Sequence, residues 1–541
     1  MGILCFVTIY GVKILDVTYD GWLMRGDFDL FQHYVGWGHY RNSDFAFPIG
    51  LISTLSYPFS MSVIYTDSIP MAAVFFKLLS PVLPETFQYF GLCGLISFIL
   101  MGGFSMLLVH RFVANRIAAV LASLFFIVNF PILQRMYYHT ALASHWIIIL
   151  ALVLWFYGEV GEKAYKKCIK WGVMGFICVG VHSYFLPMAG AIMLFSIIDD
   201  CIEASKLNIK PLKKSIFEGI LEIASFCVMA ILNLWILGGF YGGTSAIGGG
   251  IGSFESNLNT FINPLGMGIT GVAFPTVGMF QYEGFAYLGI GMLFLMIVLL
   301  GTFVCISIIG RKKTRLLQYL KIHHRKLLVG ILFILFFILS TGPIFTFNSK
   351  KIIGIPLPGP IGKIADIFRS NGRFIWVSFY VLMLAVFAVT DKIMKKGFEL
   401  IFVTIALAIQ LIDLSPEVVN KQEYFNPDVN ISYVSLWEDP LISKIIEGKE
   451  EFIIMDSTPF TMMDSAYYAF KHNMITNCCY YARDIDDKVN EQRNIYEKEL
   501  LEGKSREDAV YVFLTDDYKA GLYPDLIIYE KGKHVIGVKR K

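Results

Sequence analysis

Charge is scarce in this chain. Only 16% of its 541 residues are Asp, Glu, Lys or Arg, 55% are hydrophobic, and the mean hydropathy is +0.59. A water-soluble domain carries about 25% charged residues, so a chain soluble along its whole length is excluded. Cysteine says less. Nine are present, none with metal-ligand spacing and none in a framework of pairs, and the adjacent Cys478 and Cys479 cannot join without strain. Residues 415–541 hold no nucleotide-binding loop and no metal motif, no repeat relates the two halves of the chain, and nucleic acid is not expected as a partner. Charges are also missing from the middle of the apolar stretches, where a transport path through a bilayer would need them.

What the chain has instead is a series of apolar runs near the 20-residue bilayer length, recurring as far as Asp413. They fall at roughly 2–15, 87–109, 117–133, 141–158, 171–184, 185–198, 217–238, 285–308, 327–345, 374–390 and 398–414. Residues 1–414 therefore read as an α-helical polytopic membrane domain of about eleven transmembrane helices. The basic clusters Arg111–Arg116, Lys163–Lys170, Lys206–Lys214, Arg311–Lys326 and Asp391–Lys396 occupy every second connection, which makes those connections cytoplasmic. An odd number of crossings puts the N-terminus in the cytoplasm and the C-terminal region outside. The first run is short and carries Lys13, but no small-residue cleavage site follows it. It is read as a span, with a start upstream of Met1, rather than as a removed signal. His182-Ser183-Tyr184 and Pro187 divide the run 171–198 into two short helices turning at the outer surface. Residues 69–84, between Pro70 and Pro84 and containing Lys77, suit an interfacial helix.

After Pro416 the composition changes. Residues 415–541 hold 16 basic against 23 acidic side chains, whereas residues 1–414 hold 30 against 20. Strand-length stretches at Glu451–Met455, Ala509–Leu514, Leu526–Tyr529 and His534–Val538, with a charged helical pattern from Asp484 to Leu501, predict a soluble extracytoplasmic α/β domain over 415–541. The charge run Asp484–Asp487 reads as a solvated helix start.

The unusual polar residues lie in the outer connections. The large first outer loop, 16–86, contains Asp27 and Asp29, which either bind a divalent ion, supply a general base, or cap an interfacial helix. On a helix, His33 shares a face with Asp29. Gly36-Trp37, Arg41 and Tyr65-Thr66-Asp67-Ser68 follow, and Asp67 alone reads as a turn or N-cap residue before Pro70. The next outer connections hold Arg135-Met136-Tyr137-Tyr138-His139 with His145, and then His182. These histidines are packing residues or site residues. They lack zinc-site spacing, and no metal is assigned to them. Gly238–Gly252 is either mobile or threaded past a ligand. Beyond it, Tyr282-Glu283 sits at the mouth of an apolar span. Arg369 and Arg373, four apart at a helix start, either clamp phosphate or pair with headgroups or Glu283.

Several of these segments together resemble a family of bacterial multi-pass membrane proteins that is itself similar to the GT-C glycosyltransferases. They are Gly36-Trp37 and Arg41, Tyr65-Thr66-Asp67-Ser68-Ile69-Pro70, Arg135 with His139 and His145, and His182-Ser183-Tyr184. Tyr282-Glu283-Gly284-Phe285 with Tyr287-Leu288-Gly289, Arg369 with Gly372-Arg373-Phe374 and Trp376, and Gln410 with Asp413 complete the series, which covers essentially the whole membrane part. The resemblance implies a GT-C-like fold in a bacterial cell membrane. It also implies a first-loop acid acting as base or metal contact, here Asp29 or Asp27. Asp29 is favoured by its spacing to His33 and Gly36-Trp37, although a doubled acid departs from the single one expected. An optional magnesium or manganese ion at Asp27 and Asp29 is the only cofactor implied.

Nucleotide sugars are cytosolic, so a transferase with an outward site needs a sugar carried through the membrane on a polyprenyl phosphate. In this reading, membrane lipids and the spans hold the polyprenyl tail, while Arg369 and Arg373, with Arg41, neutralise the phosphate. His33, Asp67, His139, His145, His182, Tyr282 and Glu283 line the substrate pocket. The sugar passes with inversion to an extracytoplasmic glycan, lipid or protein. The rival readings are a transporter or flippase for a lipid-linked sugar, and a non-catalytic envelope assembly protein whose outer domain binds a partner.

Overall fold

The computed structural model describes residues 1–25, 28–241, 245–246, 252–309, 324–355, 359, 369–395, 397–455, 458–477, 483–484, 486–514, 518 and 521–540. Among them the helices are α1 Gly2–Tyr10, α2 Phe28–Asn42, α3 Pro70–Leu78, α4 Phe90–His110, α5 Arg116–Ile127, α6 Phe130–Arg135, α7 Trp146–Phe156, α8 Ala164–Val181 and α9 Phe185–Lys206. They continue as α10 Leu212–Ile236, α11 Ile290–Ile309, α12 His324–Thr341, α13 Ile375–Ile393 and α14 Phe398–Phe425, then α15 Pro440–Ile446, α16 Pro459–Lys471 and α17 Asp486–Leu501. Seven helical stretches among the described residues have the length and apolarity to cross a membrane: 90–110, 116–135, 185–206, 212–236, 324–341, 371–393 and 398–425. The chain is a multi-pass membrane protein. The eleven expected spans are not all matched at that length. α1 has 9 residues, α8 carries Lys166, Lys167 and Lys170, and the apolar stretches Trp146–Phe156 and Ile290–Val304 are shorter.

Local chemistry fixes these helices. The Asn115 side chain accepts from the amides of Ile117 and Ala118, at 3.0 and 3.3 Å, and starts α5. Asn129 accepts from Ile132 at 3.1 Å and, with Pro131 in the first turn, restarts the same span as α6. α4 buries Gly91, Gly94, Ser97 and Ser105 along one face. A Cβ on Gly91 would stand 1.9 Å from the Ile14 carbonyl oxygen, so the chain after α1 crosses α4 at backbone contact. The helices α8 and α9 turn at His182–Tyr184 as expected, each extended at its far end into charged sequence. In α3, Met71, Phe75 and Leu78 are exposed while Lys77 is buried, its ammonium 4.2 Å from the Tyr40 ring centre. An exposed apolar strip on a short helix is the form expected of an interfacial element.

The basic connections gather at one end of the bundle. There the Ala114 amide donates to Asp391 at 3.0 Å, Lys206 meets His324 at 2.7 Å, and Arg325 donates to Asp199 at 2.6 Å. The C-terminal sheet lies toward the other end. Its order is 526–531, 534–539, 509–514, 451–454, 475–476. Strand 451–454 runs parallel to both its neighbours, and the other pairs are antiparallel. The composition boundary at 414/415 falls inside α14, which continues through Pro416 to Phe425. Between the sheet and α2 lies α16. Its Ala466 carbonyl meets His39 Nε2 at 2.9 Å, its Phe470 carbonyl accepts from Asn42 at 2.7 Å, and Lys471 pairs with Asp20 at 3.3 Å.

Candidate functional site

Residue Asp29 stands in the first turn of α2, where the free amides of a helix start favour a carboxylate. His33 follows one turn later, 1% exposed. The loop carrying Asp67 is clasped to the inner face of α2. Ser68 Oγ donates to the His33 carbonyl at 2.7 Å and meets Thr66 Oγ1 at 2.8 Å, and Tyr89 donates to the Ser68 carbonyl. Gly36 makes room for it, since a Cβ there would lie 2.4 Å from the Thr66 side chain. Asp67 itself adopts a left-handed backbone, φ +53°.

Four imidazole and carboxylate contacts follow from this arrangement. The Asp29 carboxylate lies 3.3 Å from His139 Nε2. Asp67 faces His182 Nε2 at 3.2 Å with one oxygen and His33 Nε2 at 3.8 Å with the other. The rings of His33 and His139 stand 6.0 Å apart. The Tyr184 amide donates to His182 Nδ1 at 3.2 Å, which leaves the proton of the neutral ring on Nε2, pointed at Asp67. Burial pushes His139 down to about 3, with Arg135 adding to the effect, so it is neutral at ordinary pH.

Beside this group, Glu283 is 3% exposed and holds two arginines. Arg135 Nη2 reaches it at 2.8 Å, and Arg373 donates to both its oxygens, at 2.7 and 3.1 Å. Burial raises the Glu283 carboxyl, but Arg135 and Arg373 outweigh burial and hold it well below the usual carboxylate range. The Arg373 guanidinium lies 4.6 Å from the centre of the Tyr184 ring, and the Tyr184 hydroxyl accepts from the Ser370 amide at 3.0 Å. Two guanidiniums around one carboxylate leave a net positive charge in a buried place, a setting that favours an anion.

Of the residues singled out in the sequence, Asp29, His33, Asp67, His139, His182, Tyr282, Glu283 and Arg373 come together here. Tyr282 supplies its carbonyl to Arg135 at 3.5 Å and its ring at 5.6 Å. Asp27 lies outside the described residues, as do 242–244 and 247–251 of the glycine-rich loop. Arg41, twelve residues beyond Asp29, turns instead to the Glu85 carbonyl at 2.8 Å. His145 is behind the site, bonded to the Tyr380 hydroxyl at 2.8 Å, its ring centre 4.3 Å from that of Trp376. Arg369 stands over the Phe254 ring at 5.5 Å, and the second arginine on Glu283 is Arg135 rather than Arg369. Arg135 and Tyr184 are the contributors that the sequence reading left unassigned. An arginine closing an apolar helix was the available signal, because burying that charge needs a partner.

The fold and this site define a multi-pass membrane protein with a charged, histidine-rich polar site at the end of its helices opposite the basic connections. The chain belongs to the family described as "Domain of unknown function (DUF6311)", which matches residues 1–415, and residues 442–539 match the DUF6311 C-terminal domain. No curated protein matches it. Among solved structures, the apo crystal structure of the Archaeoglobus fulgidus oligosaccharyltransferase is similar at 12% identity, over 95% of this chain and 68% of that one, with a TM-score of 0.46.

Proposed function

We propose that this protein is a membrane glycosyltransferase of the GT-C kind, moving a sugar from a polyprenyl-phosphate-linked donor to an acceptor hydroxyl outside the cytoplasm. The observation that carries the reading is the pairing of Asp29 with His139, close to two buried arginines that share Glu283. The basic ends of the helices face the cytoplasm in this reading, and the site and C-terminal sheet face outward. The acceptor oxygen attacks the anomeric carbon as Asp29 takes its proton, the bond from that carbon to the phosphate oxygen breaks, and polyprenyl phosphate leaves. A single displacement of this kind inverts the anomeric centre. Arg135 and Arg373 stabilise the charge that grows on the phosphate, and the neutral His139 orients the Asp29 carboxylate. The polyprenyl tail lies along the apolar helices and the exposed strip of α3, and residues 415–541 form the acceptor side of the cleft.

Magnesium takes about six oxygen ligands. The groups gathered near Asp29 among the described residues are three imidazoles, the Asp67 carboxylate and Glu283, which is taken up by two arginines, a donor set too poor in free oxygen to fit magnesium. No step is routed through such an ion. Asp29→Asn keeps the shape of the side chain and removes the base. In proteoliposomes given a radiolabelled polyprenyl-phosphate sugar, it should lower transfer by about 10²–10⁴-fold with unchanged thermal stability, while Asp27→Asn should not. Undiminished transfer by Asp29→Asn would overturn the assignment. The grouping of the charged residues at the helix ends, rather than midway along the spans, speaks against a transporter.

A further inference from the structure

We propose that His33, Asp67 and His139 form a binding site for a zinc-class transition metal ion. One ligand atom from each of the three lies within 4.8 Å of the other two. Donors held 2.0–2.1 Å from a tetrahedral zinc ion stand about 3.3 Å apart. Within the trio, the Asp67 carboxylate already stands 3.8 Å from His33 Nε2, close to that spacing. Closing the widest of the three separations, at most 4.8 Å, by up to about 1.5 Å brings the group onto an ion.

The donor set identifies the metal class. Two imidazoles and one carboxylate suit zinc, cobalt, nickel or iron(II), whereas magnesium and calcium choose oxygen. Three protein ligands also leave one position open, the arrangement of a zinc ion that handles a substrate or water oxygen.

The surroundings match what metal ligands need behind them. Asp67 is oriented from outside the trio by His182, whose Nδ1 accepts the Tyr184 amide at 3.2 Å and whose Nε2 meets Asp67. His139 turns Nε2 toward Asp29 at 3.3 Å, while its Nδ1 is buried and has no hydrogen-bond partner among the described residues. A ring that gives one nitrogen to a carboxylate and keeps the other for the ion is the usual form of a metal-bound histidine. The ligands come from α2, from the loop ahead of α3, and from the connection between α6 and α7. None of this is visible as spacing in the sequence.

That the ion serves sugar transfer, by holding an acceptor or phosphate oxygen at its open position, rests on the function proposed above. That the site binds metal does not. The test uses the full chain in detergent, stripped with a chelator and titrated with zinc or cobalt. The expected result is one ion per chain, visible cobalt absorption of a low-coordinate nitrogen–oxygen site, and no displacement of zinc by excess magnesium. His33→Ala and Asp67→Asn should weaken zinc by at least about 10–100-fold, while His472→Ala, exposed just past the end of α16, should leave it unchanged. Should the variants fail to fold, anomalous scattering from cobalt or zinc in the wild-type protein locates the ion directly. An ion at His33, Asp67 and His139 supports the site. An ion elsewhere, no stoichiometric binding, or displacement by magnesium overturns it. Zinc bound by a protein without transferase activity would keep this site and remove the transferase reading, and transfer without zinc binding would do the reverse.

Discussion

At the scale of single residues, Glu283 is the side chain on which the charges of the site depend. It holds Arg135 and Arg373 in a buried place. Glu283→Gln leaves two guanidiniums facing one neutral amide. Breaking a buried pair in this way costs about 3–5 kcal/mol, so the variant should melt at clearly lower temperature, and an unchanged melting point would contradict the pairing. His139 adds a pH effect of known sign. Its folded value of about 3 lies below the ordinary 6.5, so the unfolded chain binds the proton first. Stability should then fall as pH drops from 6.5 toward 3. Between pH 7.5 and 5, His139→Gln should flatten the loss of melting temperature, and an equal slope in both proteins would refute the neutral, buried state. Part of this was legible beforehand. The spacing of Asp29 and His33 told of a shared helix face, and pairing with Glu283 was one of three roles open to Arg373. Arg135 was hidden because the partner that makes its burial tolerable is 148 residues away in sequence.

Among the elements, α2 works on two faces. One side carries Asp29 and His33 toward the site, and the other carries His39 and Asn42 to α16. The loop Tyr65–Ser68 closes on α2 only because position 36 lacks a side chain. A methyl group there forces Thr66 and Asp67 outward, and overpacking of this kind costs about 1–3 kcal/mol. Gly36→Ala should therefore destabilise the protein and weaken whatever Asp67 binds, and a melting curve like that of the wild type would show that the loop yields freely. Four of the five strands of the C-terminal sheet were readable as short apolar runs, whereas the short strand 475–476 and α16 were not. Residues 463–470 of α16 are buried without a break, between α2 and the sheet, so it lacks the polar face that marks a surface helix. The short helices α1 and α7 fall below bilayer length, α8 carries three lysines and the apolar stretch of α11 ends at Val304, which is why span counting by apolar runs and by helix length differ.

For the whole molecule, the alternation of basic and polar connections sets the two ends apart. If the basic end is cytoplasmic, a cysteine at Val434 should react with an impermeant maleimide in intact cells, and one at Lys213 only after permeabilisation. The opposite pattern would invert the orientation and with it the need for a lipid-borne sugar. The two ends of the chain also meet. Lys13 donates to the Pro427 carbonyl, Gln422 donates to the Thr8 carbonyl, and His39 reaches Ala466 across 427 residues at 2.9 Å. A ribosome adding about 5–20 residues per second needs on the order of 20–90 s to cover that distance. For all of that time α2 is already made while the helix that covers its far side does not yet exist. The face of α2 that meets α16 thus stays uncovered until late in synthesis, whereas the face that carries Asp29 and His33 has all its partners once Arg373 is made.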